Sequence, residues 1–318
     1  MEPEIIKTMP VAARRLLSDP IIRPHMDARM GDNINGPSMI KAPPWIARPL
    51  GRYYLYFADH KGAYIRLAHA ESVQGPWHIH EPGGLDVANS LFCAERPSPP
   101  GLAPEWAKGG IDWLYPHVAS PDVHVDQDRQ QVRMYFHGLL PNGEQMTRVA
   151  LSRNGLAFEV RPALLGPAYF RVFRYGGWHY ALAHPNLILR SHDGLVDFEP
   201  GPTPLDPATR HTAALARGDM LHVFWTRIGD RPERILHATL ALAGDWHDWR
   251  LSQERELLKP ELPWEGSDLA PEPSRPGAVS GPVNALRDPC VFEDRGRSYL
   301  LYAGAGESGI GLTELTGL

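Results

Sequence analysis

Five times along the chain, a short apolar stretch reaches a Gly/Asp turn and an aromatic-rich stretch of alternating polarity follows, then a third short run. Alternation with a period of two, bounded by turn residues, predicts β-strands. In the first unit, Gly36-Pro-Ser-Met-Ile leads through Leu50-Gly-Arg to Tyr53-Tyr-Leu-Tyr-Phe and Tyr64-Ile-Arg-Leu-Ala, closing at Trp77. The second runs from Ser120-Pro-Asp-Val-His-Val to Val132-Arg-Met-Tyr-Phe and Arg148-Val-Ala-Leu-Ser, ending at Phe158. The third pairs Tyr169-Phe-Arg-Val-Phe with Trp178-His-Tyr-Ala-Leu, and the fourth pairs Arg210-His-Thr-Ala-Ala-Leu with Leu221-His-Val-Phe-Trp. The fifth pairs Arg287-Asp-Pro-Cys-Val-Phe with Ser298-Tyr-Leu-Leu-Tyr.

A unit of three or four short strands cannot cover both of its faces alone, so the units must pack around an axis. The predicted fold class is therefore all-β, a five-bladed β-propeller over residues 31–318. Residues 1–30 lie outside the repeat and read as an extension that packs on the ring or closes it, with a short helix around Val11–Leu17. The Pro-rich stretch 255–286 is a long connection into the last unit and reads as a pocket wall.

Composition agrees with many short strands joined by turns: Gly 30 and Pro 32 in 318 residues. A net charge of −5 excludes a general nucleic-acid binder, which needs a basic excess. Cys93 and Cys290 are the only cysteines, too few for a thiolate zinc site or a disulfide framework. No apolar run reaches the roughly 18 residues of a membrane span, and the acidic start lacks a signal-peptide core. The expectation is a cytoplasmic protein with neither nucleic acid nor membrane as partner. Its oligomeric state is open.

The repeat also says where polar residues gather. The start of each first strand and the end of each second strand meet around the central opening. These positions hold Asn35, Asp59 and His60; Asp122 and His137; Tyr169, Arg171 and His184; Arg210, His211, Arg227, Asp230 and Glu233; Arg287, Asp288 and Glu307. Carboxylates, histidines and arginines converging on a ring centre must be paired, solvated or in use. No metal motif stands out and no cofactor is expected, although a structural calcium ion near the axis is compatible with His and carboxylate.

The blade starts Ser-Pro-Asp-Val-His-Val (120–125) and Arg-Asp-Pro-Cys-Val-Phe (287–292), the aromatic second strands, and the Ser-x-Asp/Asn-Gly third-strand ends resemble the five-bladed propeller glycosidases. These are the arabinanase and xylosidase type (glycoside hydrolase family 43) and their invertase and levanase cousins. The resemblance covers roughly residues 33–318. It implies carboxylates around the axis acting on a glycosidic bond. The family's triad does not carry over, because Asn35, Tyr169 with Arg171, and Arg210 with His211 stand where its carboxylates are usual.

The expectation is a glycoside hydrolase-like enzyme of carbohydrate metabolism, acting on a small oligosaccharide or glycoside. Asp122, Asp288, Glu233 and His211 would share the acid and base work. Asn35, Asp59, His60, Tyr169, Arg171, Arg210, Arg227, Asp230, Arg287 and Glu307 would hold the sugar, the arginines suiting an anionic one. Two other readings stay open: a uronate lyase built on Tyr169, His211, Arg171 and Arg210, and a propeller that binds carbohydrate without turnover.

Overall fold

The aromatic-rich stretches become the second strands of five antiparallel sheets, where both faces are covered. The structure is a computed structural model and describes residues 10–97 and 114–318. After an N-terminal strand β1 (Ala12–Arg15), the first sheet runs β2 (Asn35–Lys41), β3 (Tyr53–Ala58), β4 (Tyr64–Ala70), β5 (His78–Asp86). The second runs β6 (Val118–Asp126), β7 (Gln131–Leu139), β8 (Gln145–Ser152), with short β9 (Glu159–Val160) and β10 (Gly166–Pro167) both on β8. The third is β11 (Arg171–Tyr175), β12 (Trp178–Ala183), β13 (Leu187–Ser191), β14 (Glu199–Pro200). The fourth is β15 (Thr209–Arg217), β16 (Met220–Arg227), β17 (Ile235–Ala241), β18 (Arg255–Leu258). The fifth is β19 (Arg287–Asp294), β20 (Arg297–Ala303), β21 (Ile310–Thr316), and its outermost strand is β1. The chain is a five-bladed β-propeller.

The helix expected around Val11–Leu17 is instead strand. Ala12 to Arg15 pair with Thr316 to Thr313, and tertiary pairing overrides the local preference of Ala and Arg for helix. Arg15 then reaches the fully buried Glu265 through two nitrogens at 2.8 and 2.7 Å. Tyr302 donates to the same carboxylate at 2.6 Å.

The core is not one mass but five seams between neighbouring blades. Tyr53, Leu55 and Phe57 of blade one face Phe292, Tyr299 and Leu301 of blade five, for example. Phe224 and Ile235 of blade four face Leu300 and Tyr302. The Ser-x-x-Gly ends of third strands lock these seams. Ser152 Oγ accepts from Gly155 N, turning the chain so that the Gly155 carbonyl receives the Tyr56 hydroxyl of the previous blade at 2.7 Å. Ser191, Gly194 and Tyr135 repeat the contact one blade on, at 2.8 Å.

Gly155 has φ 72°, and a Cβ there would sit 2.8 Å from Tyr56 Oη. Gly155→Ala is therefore expected to lower unfolding stability by about 1–3 kcal/mol, from backbone strain and overpacking. Urea unfolding monitored by tryptophan fluorescence measures it.

The first strands of the blades line the axis. Four of them carry the same defect near their start: the ladder slips between Asn35 and Ser38, Ala119 and Asp122, Thr209 and Thr212, Arg287 and Cys290. Two residues there oppose one on the partner strand, which is a β-bulge, and bulges re-aim side chains. In three of them the second bulged residue is Pro37, Pro121 or Pro289, so the proline sits where no ladder hydrogen bond is needed. The residue before each is left-handed: Gly36, Ser120 and Asp288 have φ 56°, 49° and 48°.

Candidate functional site

The bulges aim their side chains into a pocket on the axis. It is lined by Asn35, His60, His117, Ala119, Ser120, His137, Gln145, Tyr169, His211, Asp288 and Glu307. The pocket is tight, a cavity of about 20 Å³, enough for a water with polar partners.

Two carboxyls share this pocket in opposite states. Burial pushes the Asp288 carboxyl up to about 7, the Glu307 charge adds to the effect, and Arg171, Arg287 and Arg210 oppose it. Burial would raise Glu307 as well, but His60, Arg287 and the Asn33 amide outweigh it and hold that carboxyl well below the usual range. The contacts are direct. Arg287 Nη1 donates to Glu307 Oε1 at 2.9 Å, Asn33 Nδ2 donates to Oε2 at 2.6 Å, and His60 Nδ1 lies 3.6 Å from Oε2. Asp288 has no such partners. His211 Nδ1 lies 3.3 Å from its Oδ1, not aligned for a hydrogen bond, and its buried Oδ2 bonds nothing.

Three of the histidines around them, His211, His137 and His117, are held towards the neutral form. Burial, with Arg210 and Arg287 nearby, holds His211 well below its ordinary value. Burial and the neighbouring His117 and His60 do the same for His137. Burial takes His117 down to about 4. His60 goes the other way: burial opposes its charge, but Glu307 outweighs burial and raises it. Tyr169, itself left-handed at φ 65°, packs its ring against His137, His211 and His184 at 4.6, 5.0 and 5.7 Å. Burial raises its hydroxyl, so it stays protonated.

Of the residues expected here, Asn35, His60, Tyr169, His211, Asp288 and Glu307 line the pocket. The remainder do not, for reasons of charge satisfaction. Glu233, expected as acid or base, is fully buried between two arginines: 3.0 Å from Arg287 Nε, hydrogen-bonded, and 3.0 Å from Arg210 Nε, not aligned for a bond. Arg210 also donates to the carbonyls of Gly277 and Arg275. Arg210, Glu233, Arg287 and Glu307 thus form a buried chain of alternating charge that ends at the pocket.

Asp122 takes hydrogen bonds from Val172 N and His124 Nε2, both at 2.7 Å. It faces the opposite end of the axis. Arg171 spans the axis and bonds only backbone carbonyls: Thr212 at 3.1 Å, Ser120 at 3.1 Å and Phe170 at 3.0 Å. Arg227 pairs with Glu254 at 2.6 Å and Asp230 at 3.3 Å on the rim. Asp59 receives Arg66, which in turn holds the Asn33 carbonyl. No residue of 255–286 is in this lining; the segment gives the Arg275 and Gly277 carbonyls to Arg210 and the Glu265 carboxylate to Arg15 and Tyr302.

His137 came from the strand-end rule but was not singled out as a ligand contact. His117 and Gln145 were missed. His117 stands one residue ahead of β6, and Gln145 opens β8, a third strand outside the two strand ends considered. Among the described residues, no three His, Cys, Asp or Glu side chains gather as a metal-ligand set. Among the same residues, no helix is long and apolar enough to cross a membrane.

Solved structures show the same ring. A β-xylosidase/α-arabinofuranosidase of glycoside hydrolase family 43 from a compost microbial metagenome, in complex with xylotriose, has a TM-score of 0.60 at 12% identity, covering 96% of each chain. A putative glycoside hydrolase from Parabacteroides distasonis has a TM-score of 0.61 at 11% identity, covering 96% of this chain and 97% of that one. An N-acetylgalactosamine deacetylase from F. plautii, in complex with blood group B trisaccharide, has a TM-score of 0.59 at 11% identity, covering 95% of each. The architecture is that of the five-bladed propeller glycosidases. One fold hosts more than one activity, and at this identity the likeness is one of fold.

No family model matches the chain. An uncharacterised protein of Acanthamoeba polyphaga mimivirus is 35% identical over 304 residues, spanning 87% of this chain and 82% of that protein. The chain belongs to the same family as that viral protein.

Proposed function

We propose that this protein is a glycoside hydrolase-like enzyme that cleaves the glycosidic bond of a small oligosaccharide or glycoside at the axial pocket. The observation that carries the reading is the pair of carboxyls held apart in protonation within one pocket, Asp288 near neutrality and Glu307 ionised. Separated pKa values of this kind divide acid from base work. Asp288 gives its proton to the leaving glycosidic oxygen as the bond to the anomeric carbon breaks. Glu307 stabilises the positive charge that develops on the sugar and takes a proton from the water that adds to it. The water-sized pocket suits that nucleophile. The proton taken up by Glu307 leaves to solvent and Asp288 regains one from solvent, which completes the turnover.

The lining favours hydrolysis over uronate elimination. A lyase needs a free cation for the substrate carboxylate, and none of the described lining residues is Arg or Lys. Arg171, Arg210 and Arg287 are all spent on carbonyls and buried carboxylates. An uncharged sugar fits this pocket better than an anionic one.

Incubation with a panel of aryl glycosides and oligosaccharides, with products separated by chromatography, tests the proposal. Absence of hydrolysis across the panel overturns it. With an active substrate, kcat/KM is expected to fall as pH rises through about 7, because the acid must carry its proton. Glu307 stays ionised well below that pH, so it sets no limb near neutrality. A rate that instead rises through pH 7 rules out Asp288 as the acid.

A further inference from the structure

Glu307 is gripped at two points by the neighbouring blade. It lies in the turn between β20 and β21, and its backbone carbonyl accepts from Ile34 N at 2.6 Å. One residue earlier, Asn33 Nδ2 donates to its Oε2, also at 2.6 Å. Asn33 stands two residues ahead of β2, outside every strand, and does not line the pocket itself.

The direction of the Asn33 amide is decided by its other contacts. Its Oδ1 accepts from His60 N at 2.8 Å and from Asn35 Nδ2 at 3.1 Å. The two ends of an amide are alike in shape, so the surrounding donors fix which is which. A reversed amide would set its NH2 group against a backbone N–H and its oxygen against a carboxylate. The main chain is pinned as well. Arg66, 3% exposed, donates to the Asn33 carbonyl at 2.7 Å and to Asp59 at 3.1 Å. The NH2 group is thereby held facing Glu307.

The charged and titratable groups that act on Glu307 are His60, Tyr169, Arg210, His211, Arg287 and Asp288. Two of them touch it, and both are compromised as holders. Arg287 also serves Glu233, and His60 attracts only when protonated. Asn33 is the one contact of the three that is neither shared with another carboxylate nor switched by pH. A hydrogen bond to the charged form of an acid favours that form. We propose that Asn33 is the positioning residue of Glu307, a clamp from blade one that holds the blade-five carboxylate in place in the pocket. The use of that carboxylate as a base rests on the hydrolase reading; the clamp does not.

The test follows the Glu307 carboxyl by NMR in the full-length protein labelled with ¹³C at glutamate Cδ, the signal being assigned by its absence in Glu307→Gln. Asn33→Ala removes the donor. Asn33→Asp keeps an acceptor for His60 N and Asn35 Nδ2 but sets an oxygen against Oε2, so the two carboxyls share a proton. In both variants the Glu307 titration is expected to move to higher pH, while Glu314, bonded to Arg297 and Arg14, titrates as before. Retained dispersion of the glutamate signals establishes folding, and either variant suffices. With an active substrate, kcat/KM of Asn33→Ala gains a limb that falls towards acid pH, because a protonated Glu307 takes no proton from water. An unmoved Glu307 titration in a folded variant overturns the proposal, as does an equal movement of Glu314. A moved titration beside an unmoved rate profile upholds the clamp and counts instead against Glu307 as the base. Absence of any turnover bears on the hydrolase reading alone, and the titration still decides the clamp.

Discussion

Asp288→Asn is expected to reduce turnover of any glycoside the protein hydrolyses by about 10²–10⁴-fold, the usual contribution of a positioned general acid. Asparagine is the replacement to use because Asp288 sits at φ 48°, a conformation Asn tolerates better than other residues. The fold and the bulge are then retained, and the loss reports the missing proton. An aryl glycoside with a very acidic leaving group departs without protonation, so its bond-breaking step should be much less sensitive than that of a sugar leaving group. Steady-state kinetics on both substrate types separates the effects. Equal loss on both would assign Asp288 to positioning instead of proton transfer.

The second large effect is on stability. Glu233→Gln removes a fully buried carboxylate from between Arg210 and Arg287. Breaking a buried ion pair by deleting one partner costs about 3–5 kcal/mol, because the other charge is left uncompensated. Here two arginines lose a partner, and Glu307 alone remains to balance them. Denaturant unfolding should show the loss as a lower midpoint at unchanged slope. With their field less neutralised, the arginines also favour the ionised form of Asp288. The alkaline fall of kcat/KM should therefore move to lower pH in this variant. A stability loss without that movement would separate the ion chain from the chemistry of the pocket.

The blades were legible because their signal is local. Alternation, aromatic second strands and Gly/Asp turns each span fewer than ten residues, and the Pro at three blade starts marks the bulges. The same register placed Asp288, Tyr169 and Asn35 at the axis. What sequence could not separate was the direction a charge faces. Arg171, Arg210 and Arg287 read as ligand contacts because they stand at strand ends. In the folded ring they satisfy bulge carbonyls, loop carbonyls and buried carboxylates that only tertiary packing brings near. Asp122 shows the limit most clearly. It lies two residues past the left-handed Ser120, and that offset along an axial strand carries it beyond Arg171 to the other opening. Glu307, by contrast, lies in the turn after β20 and is drawn in by Asn33, His60 and Arg287, three partners from two blades.

Closing the ring with β1 has a consequence for how the protein is made. The Arg14–Glu314 pair across β1 and β21 joins residues 300 positions apart, among the longest-range contacts the chain can form. Contacts of that span are costly in loop entropy and slow folding. During vectorial synthesis the first four blades can stack as they emerge, but β1 has no partner until the last strand leaves the ribosome. The two carboxyls of the axial pocket, Asp288 and Glu307, also arrive with that last blade. Ring closure and completion of the pocket are therefore one late event, and a nascent chain halted before Ile310 would expose both an unpaired strand and an open seam.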